Sequence, residues 1–382
     1  MNHLRREPFR LFFPLGLLVG LAGVLPWLVF ALGYSRRWPG LFHGLTMTQG
    51  YLFTTAAGFL LTLVPRRTGT PPPHPWEIAA LAVAAITVPS ALWLGALSVA
   101  EGVALASLLV LLRFALSRWS SPSRQPTPPS FVLLAGGATG GLLGGGLLLA
   151  APLVGALAPM SLGRQLVQQG PLLGAALALT PFLTPVLAEG QGRPPAEPAI
   201  RRRQVRLHGL AGLLLLGSFA VEEWLSIRFG LLLRGLVCLV EVLLAGRPFA
   251  PYRRAGAHRF VYRVALILLP LGLLGGALAP AQRVPLAHLT YLGGFALLIY
   301  AVATHVVLHH TGRSHLAERS PIRLLLAALL TVAAAVVRTL AERFPMHYFA
   351  ALAAAATLWL LGALLWGSLI LPMLLPRRDP QA

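Results

Sequence analysis

Histidine is the residue type in this chain whose number and spacing best suit chemistry, because 11 histidines are present and most stand near the ends of apolar runs. His305 and His309 lie four residues apart, so on an α-helix both imidazoles share one face and can reach one metal ion. Neutral imidazole suits haem iron, copper and zinc. The spacing predicts a metal site at His305, His309 and the adjacent His310, with His208 as a further candidate ligand.

A second histidine site is predicted at the other end of the same apolar run. His288 precedes His305 by 17 residues, which is about 25 Å along an α-helix, so one metal cannot bind both side chains. His43 opens another run at a similar height, and His43 and His288 are therefore candidate ligands of a separate haem or metal. The pattern alone leaves a plain interfacial histidine open as the alternative at each position.

Other kinds of chemistry have little support in the sequence. Among only 11 acidic residues, Glu241 follows Arg234 by seven positions within one apolar run, which predicts either an ion pair or a proton relay. No Ser/His/Asp order and no HExxH sequence is present, so no hydrolase motif identifies an enzyme. Cys238 is the only cysteine, which excludes an intrachain disulfide.

The elements that must position these side chains are membrane-spanning helices. Hydrophobic residues make up 56% of the chain and charged residues 11%, with a mean hydropathy of +0.73, whereas soluble domains contain about 25% charged residues. We therefore predict an all-α, polytopic membrane helix bundle that forms a single domain over residues 1–382. Runs of about 20 apolar residues predict twelve spans: 11–33, 43–64, 77–97, 99–116, 131–158, 170–188, 207–225, 229–246, 261–279, 287–309, 322–341 and 348–375.

The arginines give this bundle a direction. All 31 basic residues are arginines, and 23 of them fall in the connections on the side that holds both termini. Basic short loops stay in the cytoplasm, so both termini are predicted to be cytoplasmic. His43, His288 and His347 then lie near the external face, and His208, His305, His309 and His310 near the cytoplasmic face. Because the arginines stand in short clusters between apolar runs, the net charge of +20 does not indicate nucleic-acid binding.

Two local patterns predict how neighbouring helices pack. The third and fourth spans are separated by so few residues that they must form an antiparallel hairpin. Gly136, Gly140 and Gly144 recur every four residues within an apolar run, which favours close helix packing, and no Gly-Lys-Ser/Thr follows to make a phosphate loop.

The second span resembles a known family pattern. Residues 43–47 read His-Gly-Leu-Thr-Met, residues 57–62 read Ala-Gly-Phe-Leu-Leu-Thr, and residues 64–69 read Val-Pro-Arg-Arg-Thr-Gly. These stretches are similar, without a gap, to the second span of the NnrS family, bacterial haem- and copper-containing membrane proteins linked to nitric oxide stress. The tenth span agrees as well, from His288 and Gly293 to His310, Thr311, Gly312 and Arg313.

The resemblance implies a multi-pass protein of the bacterial inner membrane that holds haem and copper and acts in protection from nitric oxide. It assigns His43, Met47, His288 and Arg313 to cofactor binding, with Arg313 expected to contact either a haem propionate or lipid phosphate. Nitric oxide and quinol are the expected small partners beside the lipid bilayer, and the oligomeric state stays open.

This chain departs from the family pattern at three positions. Leu45 and Thr46 stand where the family has a second histidine and a glutamate, and His305 replaces an arginine. Residues 171–189 match no family segment, so a divergent member with a changed ligand set is predicted. Two other readings remain open, a small-solute or ion transporter that uses histidines for coupling, and an assembly factor whose metal sites have decayed.

Overall fold

Twelve long apolar helices build the structure, a computed structural model that describes residues 2–120, 126–154, 157–190, 192, 197–313, 316 and 321–375. They are α1 Phe9–Ala31, α2 Gly40–Thr68, α3 Pro75–Trp93, α4 Leu97–Trp119, α5 Phe131–Ala151, α6 Met160–Glu189, α7 Pro198–Trp224, α8 Ile227–Gly246, α9 Ala257–Leu278, α10 Pro280–His310, α11 Ile322–Arg343 and α12 Pro345–Leu374. A short helix, Asn2–Arg6, precedes α1. Within the described ranges there is no strand, which confirms the predicted all-α class and the twelve spans.

The cytoplasmic placement of the termini stays a prediction. Five of the arginines behind it lie outside the described residues: Arg124, Arg193, Arg319, Arg377 and Arg378. Residues 155–156 of the predicted fifth span also lie outside them.

The helices begin earlier than the apolar runs where their first turns are polar. α6 begins at Met160 instead of residue 170, and α10 at Pro280 instead of residue 287. The added turns of α6 carry Arg164 and three glutamines, and those of α10 carry Arg283, all lining an internal cavity. A helix that faces a polar cavity needs no continuous apolar run, since its backbone groups are satisfied within the helix.

The helices that carry His43 and His288 share an unusual local geometry. In α2 an α-helical stretch, Gly40–Leu45, is followed by π-helical turns over Thr46–Leu52. In α10 the α-helical stretch Arg283–His288 is followed by π-helical turns over Leu289–Ala296. Both candidate ligands therefore stand where the chain changes its helical pitch, and π-helical turns, which are rare, are frequent at functional sites.

Glycines allow α5 and α6 to touch backbone to backbone. A Cβ atom on Gly137 would lie 2.6 Å from the Gly170 carbonyl oxygen, and one on Gly144 would lie 2.7 Å from that of Gly163. A Cβ atom on Gly136 would meet nothing closer than 3.8 Å. The glycine-rich run is thus a packing surface, as predicted, although Gly137 makes a far closer approach than Gly136.

The α3–α4 hairpin forms as predicted, since α3 ends at Trp93 and α4 begins at Leu97. At the far end of the hairpin, Glu77 of α3 and Arg118 of α4 form a buried ion pair of 3.1 Å. The Arg118 guanidinium also donates to the carbonyl oxygens of Pro71 and Pro72. The charge inside the bundle is therefore paired and hydrogen-bonded, as burial in a membrane requires.

The outer surface of the bundle is apolar. Large side chains on several helices are more than half exposed, among them Leu18, Val83, Leu116 and Leu278. Because these residues belong to helices long enough to span a bilayer, the exposed surface is suited to contact with lipid.

Candidate functional site

A cavity of about 440 Å³ lies inside the bundle, in the half that contains the first turns of α2 and α10. Side chains from α1, α2 and α6 to α12 form its walls. The polar or sulfur-bearing part of the wall comprises His43, Met47, Thr48, Tyr51, Ser161, Arg164, Gln165, Gln168, Gln169, Glu222, Arg283, His288, Tyr291, Arg338 and Tyr348, with the indole rings of Trp27, Trp38 and Trp359. The volume falls in the range of small-molecule and cofactor sites, about 300–1,000 Å³.

His43 and His288 are brought to this one cavity from two different helices. His43 Nδ1 lies 3.0 Å from the Gly23 carbonyl oxygen, and His288 Nδ1 lies 2.9 Å from the Val284 carbonyl oxygen. A carbonyl oxygen can only accept, so in each ring Nδ1 carries the proton and Nε2 keeps its lone pair. Both imidazoles are therefore held in the tautomer that metal-ligating histidines use.

Cationic side chains accompany the histidines. Arg338 of α11 interacts electrostatically with both His43 and His288. Its Nη1 atom is buried without a hydrogen-bond partner among the described residues, and it forms a long ion pair of 3.9 Å with Glu342 Oε1. Arg164 and Arg283 also line the cavity. This wall is thus built to receive anionic oxygens, which guanidinium groups bind with charge-assisted hydrogen bonds.

The opposite wall holds a buried ion pair that differs from the predicted one. Arg234 pairs with Glu222 at 2.9 Å, donates from Nη1 to Gln169 Oε1 at 2.8 Å, and stacks over Phe219 at 3.6 Å. The predicted pairing of Arg234 with Glu241 is wrong. The α7 helix packs against α8 and presents Glu222 to Arg234, which a pattern confined to α8 does not reveal.

Glu241 has a different partner, His208, whose Nδ1 lies 2.9 Å from Glu241 Oε1. His208 belongs to α7 and Glu241 to α8, so this contact joins two adjacent helices. The structure therefore places His208 in an ion-pair position of its own, with no ring contact to His305, His309 or His310 among the described residues.

The histidines at the end of α10 form a row of rings near the opposite end of the bundle. His305 stacks on His309 with centroids 6.2 Å apart, and His309 meets His310 edge-on at 5.5 Å. His258 of α9 extends the row, since its ring stacks on His305 at 5.5 Å. His258 is 1% exposed and its Nε2 has no hydrogen-bond partner among the described residues.

Sequence reasoning missed His258. It stands just before the apolar run of α9, next to Arg259, and no spacing within α9 links it to another histidine. Only the packing of α9 against α10 brings it to His305. The sequence offered only a weak signal, since His258 stands near the same predicted membrane face as His305, His309 and His310.

Two predicted residues stand apart from the cavity. Arg313 donates from Nη1 to the Met373 carbonyl oxygen at 3.0 Å, which ties the end of α10 to the end of α12. His347 is exposed in the short 3-10 turn, Pro345–His347, that begins α12. Met47, in contrast, lines the cavity together with His43 and His288.

The two departures from the family pattern that lie in α2, at Leu45 and Thr46, are also off the cavity. Leu45 is fully buried in an apolar cluster with Val88 and Leu92 of α3, Ala100 of α4 and Val167 of α6. Thr46 is fully buried as well, and neither residue lines the cavity. The position of the family's second histidine therefore points away from His43 and His288.

Across the described part of the chain, no three His, Cys, Asp or Glu side chains converge on one metal-ion position. The cavity instead offers two separate imidazole nitrogens, a thioether and three guanidinium groups around an open space. That donor set suits a large planar cofactor with anionic substituents better than a closed metal cage.

Comparison with known proteins identifies a family. The family model described as NnrS protein matches residues 3–378. No curated protein gives a significant match to the chain.

Proposed function

Since the chain belongs to the NnrS family, we propose that it is a haem- and copper-binding protein of the bacterial inner membrane that acts in protection from nitric oxide. One observation carries the proposal. His43 and His288 reach the same internal cavity from different helices, and each has its Nδ1 proton held by a backbone carbonyl. A histidine that only faces the membrane interface does not need a fixed ring orientation, whereas both of these rings are fixed in the same way.

The cavity residues fit haem. Nε2 of His43 and His288 would hold the iron, and Met47 would lie beside the porphyrin as a soft neighbour. The unpartnered Nη1 of Arg338 would receive a propionate, with Arg164 or Arg283 for the second. The indole rings of Trp27 and Trp359 line the same cavity and would supply apolar contacts to the group. Bound haem supplies an iron centre to which nitric oxide binds.

The chain itself orients the ligands. The Gly23 and Val284 carbonyl oxygens fix the two ring orientations, and Tyr51, Tyr291 and the glutamines of α6 provide hydroxyl and amide groups toward the open space. In this proposal, electrons would come from quinol or a protein partner.

Copper belongs, in this proposal, to the histidine row at the other end of the bundle. His305, His309 and His310 supply imidazoles to a soft metal, and His258 would join them. Arg313 joins α10 to α12 through its hydrogen bond to the Met373 carbonyl oxygen, and its expected contact with a haem propionate or lipid phosphate stays a prediction.

The test is spectroscopic. We expect the purified protein to show a Soret band and to contain iron and copper, with the Soret band lost in His43→Ala and His288→Ala. His347→Ala is the matched control, because this histidine is exposed and off the cavity, and should keep the band. A colourless wild-type protein that cannot be reconstituted with haem would refute the cofactor proposal.

A transporter of a small anion is the second candidate function, and one observation favours it. Arg164, Arg283 and Arg338 line the cavity, while Glu222, which is the one carboxylate among the described lining residues, is neutralised by Arg234. Uptake of a small anion into proteoliposomes by a haem-free preparation would support this reading. Absence of uptake together with a Soret band would exclude it.

A further inference from the structure

Glu101 of α4 differs from the other buried glutamates of the bundle. Among the described residues, four glutamates are buried, and three of them contact a cation or an imidazole: Glu77 with Arg118, Glu222 with Arg234, and Glu241 with His208. Glu101 is 0% exposed and has no such partner in the part of the chain that the structure describes. An unpaired ionised carboxylate inside a membrane bundle is costly, so burial favours the protonated acid.

The contacts of Glu101 are only half satisfied. Its Oε2 accepts a hydrogen bond of 2.9 Å from Gln49 Nε2, whereas its Oε1 and the Gln49 Oε1 are both buried and have no hydrogen-bond partner among the residues that the structure describes. Two adjacent unsatisfied oxygens are not expected in a dry, apolar environment, since each would lose its hydrogen bonds to water without a replacement. Their arrangement points to bound water.

A small chamber beside these oxygens has room for that water. It has a volume of about 40 Å³ and is lined by Gln49, Glu101 and Ser107 on its polar side and by Phe53 and Leu108 on its apolar side. A water molecule needs about 10–15 Å³ of such space and two to four polar partners. The chamber can therefore hold one or more waters that contact the Glu101 carboxyl group.

Thr48 connects this chamber to the main cavity, because its side chain lines both. Its hydroxyl donates to the Gly44 carbonyl oxygen at 2.9 Å, so its lone pairs remain able to accept from water. Thr48 and Gln49 both lie in the π-helical turns that follow His43. The Glu101 carboxyl group and the chamber therefore lie beside the main cavity, with Thr48 between them.

We propose that Glu101 is a protonated carboxylic acid that exchanges its proton with the main cavity through water in the small chamber and the Thr48 hydroxyl. The proton leaves Glu101 Oε1 for a chamber water, and the Thr48 hydroxyl accepts a proton from that water while it turns from the Gly44 carbonyl oxygen and releases its own proton to water in the main cavity. A proton that returns by the same route restores the acid, so no redox step is involved. The inference rests on the proposed function only in taking the main cavity as the place where protons are used.

Infrared spectroscopy tests the proposal directly. The protein is purified in a maltoside detergent, which has no ester carbonyl, and spectra of wild type and Glu101→Gln are compared at neutral pH. We expect wild type to show a carbonyl band of a protonated carboxylic acid that is absent from Glu101→Gln. Transfer to D2O should move this band to lower frequency, which shows that the acid exchanges with solvent.

Two further variants sharpen the result. Glu77→Gln is the matched control, since Glu77 is equally buried but is ion-paired, and should keep the band. Thr48→Val keeps the shape of the side chain and should keep the band while slowing its D2O shift by about tenfold, because a hydrogen-bonding step is removed.

Three outcomes would overturn the proposal. They are a wild-type spectrum without a protonated carboxyl band, a band that survives Glu101→Gln, and a band that D2O does not shift. The first and third are read on wild-type protein, so they hold even if Glu101→Gln fails to fold. The Soret band is recorded on the same samples, and a colourless protein with the expected infrared band would refute the haem proposal alone.

Discussion

Arg338 is the residue whose surroundings most clearly call for a ligand. It interacts electrostatically with His43 and His288, and its Nη1 is buried with no hydrogen-bond partner among the described residues. A hydrogen bond to a charged group contributes about 1.5–3 kcal/mol. The guanidinium is thus placed to stabilise an anionic group in the cavity by a measurable amount.

We expect Arg338→Gln to weaken haem binding by about 10–100-fold, the equivalent of one charge-assisted hydrogen bond. The measurement is a haem titration of the apoprotein, followed by absorbance. Arg343→Gln is the matched control, because Arg343 lies in the same helix but is exposed, and it should bind haem as wild type does. Equal affinities of the two variants would argue against a propionate at Arg338.

At the scale of single residues, the sequence predicted candidate site residues but not the residues that they contact on other helices. The 17-residue gap between His288 and His305 separated two histidine sites, and the structure keeps these rings apart, with His288 at the cavity and His305 in the histidine row. The predicted ion-pair partner of Arg234 was wrong, and the roles of His258 and Glu101 were not predicted. Each of these depends on a contact between helices, which spacing along one helix does not contain.

Among the elements, α9 and α10 make a close contact near the site. A Cβ atom on Gly272 of α9 would lie 2.4 Å from Thr290 Oγ1 and 2.6 Å from the Leu286 carbonyl oxygen. Leu286 and Thr290 flank His288, at the junction of the α-helical and π-helical turns of α10. The absence of a side chain at Gly272 therefore sets how near His288 can come to the rest of the bundle.

We expect Gly272→Ala to destabilise the protein by about 1–3 kcal/mol, the usual cost of an added group in a filled core, and to reduce haem occupancy. Thermal unfolding in detergent and the ratio of Soret to protein absorbance measure the two effects. Gly217→Ala in α7 is the control, since a Cβ atom there meets nothing within 4 Å, and alanine favours a helix over glycine by about 1 kcal/mol. A Gly272→Ala protein as stable as Gly217→Ala would contradict the proposed contact.

The helices themselves were largely predictable from the sequence, and their irregular parts were not. Twelve apolar runs became twelve helices because a backbone in lipid has few alternatives to a helix. The early start of α6 escaped prediction because Arg164 and the glutamines after it break the apolar run while facing a cavity. The π-helical turns after His43 and His288 left no pattern in hydropathy.

For the whole molecule, the direction of the bundle decides on which side each site meets the cell. The arginine distribution predicts that the cavity of His43 and His288 lies toward the external face and the histidine row toward the cytoplasm. The chain suits a labelling test, because its one cysteine, Cys238, is 0% exposed and should not react in the folded protein. A cysteine added at an exposed position then reports, by its labelling, on which side of the membrane that position lies.

We expect Tyr34→Cys, between α1 and α2, to react with a membrane-impermeant maleimide in intact cells, since Tyr34 is 83% exposed and its connection is predicted to be external. Arg202→Cys lies in the exposed, arginine-rich first turns of α7 and should react only after the inner membrane is permeabilised. Wild-type protein, with Cys238 alone, measures the background.

The reverse labelling pattern would invert the bundle and place the haem cavity toward the cytoplasm. Reaction of both cysteines in intact cells would mean that positions 34 and 202 lie on the same side of the membrane. An even number of spans would then separate them, which would contradict the twelve-span orientation. The labelling pattern therefore links the count of helices to the side from which nitric oxide would reach His43 and His288.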